Sequence, residues 1–113
     1  MPPIKERKVV ILRAGIVTKD SIRDGAESVD TIDKVYNLSV QATAGAAKQD
    51  DKTVQMLLAA IPNAHYALAF AGSIIDKGGT IRYKPILPGN PHHALVSDIS
   101  IDDLYDIFKG NKH

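Results

Sequence analysis

Val9-Val10-Ile11-Leu12 is an unbroken run of four apolar residues, three of them β-branched. β-branched residues lose side-chain freedom in a helix and suit a pleated strand. Continuous rather than alternating apolarity requires cover on both faces of that strand. The chain must therefore build a sheet with a packed layer on each side. Lys8 to Val17 reads as this strand, interrupted near its end by Arg13 and Gly15. The 113 residues suit a single α+β domain spanning 1–113. A domain of this size buries about two-thirds of the surface its unfolded chain exposes, enough for a core without disulfides or metal. There is no cysteine, which removes disulfide frameworks, cysteine-based zinc sites and cysteine nucleophiles together.

The remaining elements follow from periodicity. Thr18 to Asp33 is polar and poorly periodic and reads as a long loop with one irregular turn. Val35 to Ala42 alternates, with Tyr36, Leu38, Val40 and Ala42 on one side, and reads as a half-buried strand. Thr43 to Gln49 is small and flexible in composition. Asp50 or Asp51 caps a helix running to about Ile61, where Pro62-Asn63 stops it. His65–Phe70 is a short strand, Ser73–Lys77 a helical turn closed by Gly78-Gly79, and Thr80–Leu87 a strand whose far end Pro85 demotes. A Pro88–Pro91 turn leads into a His92–Val96 strand. Ser100-Ile101-Asp102-Asp103 then opens a terminal helix with Leu104, Tyr105 and Phe108 on its apolar stripe. Strands and helices mix without a βαβ beat. The expected fold is α+β, with a small mixed or mainly antiparallel sheet and two main helices.

Lys plus Arg number 14 against 13 for Asp plus Glu, a net charge of +1. That balance makes nucleic acid an unlikely partner for the chain as a whole, although a local basic patch can hide within it. No run approaches the roughly 18 apolar residues of a membrane span, and no secretory leader pattern opens the chain. The expectation is a cytoplasmic protein with no membrane partner and no cofactor.

Candidate chemistry lies in few places. Pro88-Gly89-Asn90-Pro91 delivers His92 and His93 to a strand, where neighbours face opposite ways. At most one of the two histidines therefore serves a given site, as a general acid/base or a phosphate ligand. Arg82 and Lys84, spaced by two on the preceding strand, form a candidate anion-binding pair. Arg13 interrupts a buried strand and needs a partner, an opening to solvent or a bound anion. Ser39, Gln41 and Asn37 share a polar strand face that can line a cleft; no nucleophile elbow surrounds Ser39. No phosphate-binding glycine loop occurs, and Asp98, Asp102, Asp103 and Asp106 lack a calcium-loop spacing, so no metal is expected.

Leu38-Ser39-Val40, Ile61-Pro62, a glycine-containing turn and Asn90-Pro91-His92-His93-Ala94-Leu95-Val96 together resemble a loose group of small uncharacterised bacterial proteins. Those proteins carry a Leu-Ser-Val strand and a terminal (Asp/Asn)-Pro-x-His-Ala-Leu-Val strand. A fainter likeness links the layout to ADP-ribosyltransferase-like toxin domains. That likeness implies an arginine on the first strand and a polar residue on the next, here Arg13 and Ser39. No glutamate is assignable from sequence to the acidic end of such a site. Two readings follow. The first is a small bacterial binding or protein-interaction module without catalysis, whose edge hairpin pairs with a protein partner or a second copy. The alternative is a toxin-like or transferase-like enzyme that uses Arg13, Ser39 and His92 or His93.

Overall fold

The computed structural model describes residues 2–113. Its centre is one long strand, β3 (Val35–Ala46), flanked on one side by β6 (His93–Ser97) and then β5 (Thr80–Tyr83). On its other side two strands share its length. β1 (Val9–Ala14) pairs with Gln41–Ala46, and β2 (Ala26–Val29) pairs with Val35–Leu38. β4 (Tyr66–Phe70) lies outside β1, and every pairing is antiparallel. The fold is therefore α+β with a mainly antiparallel sheet. Four helices accompany it: α1 (Lys19–Gly25), α2 (Asp51–Leu58), α3 (Ala71–Asp76) and α4 (Ile101–Lys109).

The opening apolar run is covered twice, as its composition demands. Val9 and Ile11 join the larger core, which Ile22 of α1, Ile74 of α3 and Leu104 and Phe108 of α4 complete. Val10 and Leu12 join a second cluster with Leu68 of β4 and Val54 and Leu57 of α2. α2 packs on β1 and β3. Among the described residues no other helix contributes to that second cluster, so toward β6 and β5 the same face carries no helix. The helix starts follow the local chemistry. Asp50 accepts from the Thr53 N–H at 2.9 Å, and Ser100 accepts from the Asp103 N–H at 3.1 Å. Gly78, at φ 85°, ends α3 in a conformation that a side chain would strain.

Three expectations are corrected. Thr18–Asp33 is not a loop: Thr18 and Ser21 form a reciprocal cap for α1, and β2 follows at once. Strand β2 has no strong pattern of its own and exists because β3 offers it a ladder. Thr43–Ala46 continues β3 because β1 pairs there. Along β3, Val35 replaces Tyr36 in the core, and Tyr36 is 53% exposed. Asn37 follows Tyr36 at φ 53°, a left-handed conformation that Asn tolerates, and it breaks the two-residue alternation before Leu38.

A short stretch of the chain lies beside each end strand of the sheet. On β5, Ile4 N–H donates to the Ile81 carbonyl at 2.7 Å, and Pro3 bridges to Arg82. On β4, Tyr66 and His113 exchange backbone bonds at 3.1 and 2.8 Å, and their rings stack with centroids 5.0 Å apart. No helix is long and apolar enough to cross a membrane.

Phe108 is fully buried where α4 meets the larger core. Phe108→Ala is expected to cost about 3–5 kcal/mol, read as a lower urea midpoint at unchanged slope.

Candidate functional site

Because β1 and β2 divide one side of β3 between them, the ladder is broken at Ser39–Val40. The Ser39 carbonyl faces that break without a strand N–H. Arg13 supplies the missing donor: its Nη1 donates to the Ser39 oxygen at 2.8 Å. The guanidinium also occupies the space beside Gly25, where a Cβ would collide with Arg13 Nη2. Burial pushes the Arg13 pKa down, which measures how poorly its charge is solvated. Among the described residues no carboxylate pairs with it; the ion pairs there are Arg7–Asp76, Lys19–Asp102, Arg23–Asp33 and Lys109–Asp106. A half-buried cation with one neutral partner and a face on a cleft keeps donors that an anion could use.

The next group is assembled by register. Gln41 stands opposite His93 across the β3–β6 ladder, and Ser39 lies two residues back on β3. All three side chains thus project to the part of that face that no helix covers. His93 is held at both ends. Its backbone carbonyl accepts the Lys84 N–H at 2.9 Å, and its Nδ1 lies 2.9 Å from the Lys84 carbonyl. A carbonyl can only accept, so Nδ1 carries the proton. In the neutral ring Nε2 then holds the lone pair, and the Ser39 hydroxyl donates to it at 3.2 Å. His93 is 9% exposed, so this orientation is fixed by packing as well as by hydrogen bonds.

The pair forms a saddle between two depressions. One, of about 470 Å³, is lined by Arg13, Ser39, Gln41, Asn63, Asn90 and His93. The other, of about 450 Å³, is lined by Glu27, Asn37, Ser39, Lys84, His93 and Leu95. Two buried oxygens in the first, Gln41 Oε1 and Asn90 Oδ1, have no hydrogen-bond partner. Gln41 is 3% exposed, so its side chain forms part of the cleft wall and not an open acceptor. In the second depression the Glu27 carboxylate accepts from Asn37 Nδ2 at 2.8 Å.

The structure thus brings Arg13, Ser39 and His93 together. His92 lies elsewhere, against Ala42, Ala44, Tyr83 and Pro91 in a separate hollow. Arg82 and Lys84 are parted too. Lys84 borders the Glu27 depression, whereas Arg82 lines a groove with Pro3, Ile4 and Lys5. Among the described residues no cluster of His, Asp and Glu could hold a metal. Sequence reasoning missed Glu27, Asn63 and Asn90. Glu27 carries no signal in the sequence, because only the pairing of β2 with β3 brings it to the cleft. Asn90 is fixed by mutual backbone bonds with Ile86 at 2.6 and 2.9 Å, a bridge inside the proline-rich turn. With this geometry in hand, comparison with protein-family models, curated proteins and solved structures returned no match to the chain.

Gly25→Ala is expected to expel the Arg13 guanidinium from the break. The expected loss is about 1–3 kcal/mol in chemical denaturation. Combining it with Arg13→Ala should recover part of that loss, which a double-mutant cycle measures.

Proposed function

We propose that the protein is a transferase-type enzyme acting on a phosphate-bearing, nucleotide-like donor. ADP-ribosyl transfer is the specific reaction that the likeness of Arg13 and Ser39 to toxin domains implies. The observation that carries this reading is the convergence of Arg13, Ser39 and His93 on one cleft, with the His93 Nε2 lone pair turned toward Ser39.

Each group has a role that its surroundings support. Arg13, poorly solvated and without a carboxylate, binds the anionic part of the donor. Gln41 and Asn90 line the same cleft and shape it around the donor. His93 acts as general base, oriented by the Lys84 carbonyl. In the transfer step, the bond from the anomeric carbon to the leaving group breaks, and the electron pair departs with that group. The acceptor hydroxyl or amine forms the new bond and passes its proton to Nε2, directly or through Ser39. Glu27, bordering the neighbouring depression, supplies negative charge on the side where a cationic sugar develops.

The reading of a passive interaction module draws on fewer features, since it uses none of the Arg13, Ser39 and His93 geometry. Two measurements separate the two readings: calorimetric titration with ADP-ribose, and incubation with labelled NAD and a bacterial lysate. Label transfer that His93→Ala reduces at least about 100-fold supports the enzyme. Arg13→Ala should weaken ADP-ribose binding on the order of 10- to 100-fold, the value of a charge-assisted bond. Growth arrest on expression in a bacterium, relieved by Arg13→Ala, is the matching cellular result. Absence of both binding and transfer would overturn the proposal, and binding without transfer would return the chain to a binding module.

A further inference from the structure

An open depression of about 880 Å³ lies away from the Arg13 cleft, against the start of β1 and the end of β3. Lys5, Arg7, Lys8 and Lys48 stand around it, with the exposed ring of Phe70 among them. A neighbouring groove shares Lys5 and Arg7 and continues the positive surface to Arg82. Five cations thus face two carboxylates, Glu6 and Asp76, in a chain whose net charge is only +1. One of those carboxylates is already occupied: Arg7 holds Asp76 with two parallel bonds of 2.8 Å. Among the described residues Lys5, Lys8, Lys48 and Arg82 form no ion pair.

These cations sit on anchored backbone rather than on a loose tail. Ile4 N–H is bonded to the Ile81 carbonyl, the Arg7 carbonyl to Gly72 N–H at 2.9 Å, and the Lys8 carbonyl to Ala47 N–H at 3.1 Å. The Arg7 side chain lies flat against Gly72, where a Cβ would come within 3.1 Å of its Cζ. A fixed row of positive charges beside an exposed aromatic ring matches one ligand chemistry. Phosphates spaced along a flexible strand meet the cations, and a base stacks on the ring. Double-stranded DNA or RNA hides its base faces and would leave Phe70 unused.

We propose that this groove binds single-stranded nucleic acid, with Lys5, Lys8 and Lys48 on the phosphates and Phe70 under a base. The site is independent of the Arg13 cleft and survives or fails separately from it. Near-neutral overall charge is compatible with it because binding senses the local field, screened beyond roughly 8–10 Å at ordinary salt.

The test is fluorescence anisotropy of the full chain with a labelled 12-nucleotide single strand and with the corresponding duplex. Three phosphate contacts predict that affinity falls about 20-fold between 50 and 200 mM salt. The exposed triple charge reversal K5E/K8E/K48E should weaken binding more than 10-fold and flatten the salt slope. Phe70→Ala should weaken binding about 10-fold and leave the slope unchanged, because stacking releases no counterions. Circular dichroism checks that each variant folds. Three results would overturn the proposal: no binding at 50 mM salt, equal affinity for duplex and single strand, or binding unaffected by the triple variant. Competition by an acidic polypeptide at equal charge, with Phe70→Ala silent, would assign the groove to an acidic protein instead.

Discussion

A single hydrogen bond, from the Arg13 guanidinium to the Ser39 carbonyl, closes the place where the sheet fails to close itself. β3 is longer than either strand beside it, so β1 and β2 must share it, and their ends leave a gap. A bare carbonyl in a part-buried gap costs free energy unless something donates to it. A cation that spends one of its five donors there keeps the rest for whatever enters. The gap, the cation and the cleft are therefore one feature. Without the break there would be no room for Arg13, and without Gly25 the guanidinium would have no place to lie.

The second determinant is the register of β3 against β6. Pairing Gln41 with His93 puts Ser39, Gln41 and the imidazole on a part of the sheet face that no helix covers. A slip by one residue would bury His93 in the larger core and turn Ala94 outward. What prevents the slip is the apolar set on the opposite face: Leu38, Val40, Ala94 and Val96 are all buried in that core. The polar face is thus specified by the apolar one. The chemistry of the cleft is inherited from packing on the reverse of the same strands.

How much of this was legible beforehand depended on whether the signal was local. The double cover of Val9–Leu12 was readable from four residues, and the caps at Asp50 and Ser100 from two or three each. Arg13 stood out because a charge in an apolar strand demands an explanation. Nothing local announced α1 and β2, since β2 is held by β3 rather than by its own pattern. Tyr36 and Val35 exchanged places because a left-handed Asn37 is invisible to period counting. The meeting of Ser39 with His93, 54 residues apart in sequence, required the strand order, which no stretch of the chain encodes alone.

Residues 3–4 bond to β5 and residues 111–113 to β4, one short segment at each end of the strand order. The bonds they make within one molecule are the same bonds that would join it to a second. A copy whose tail has lifted offers a vacant margin to a neighbour's tail and a tail to a neighbour's margin. Assembly through this sheet would proceed by exchange of ends, with affinity governed by the free energy of undocking them.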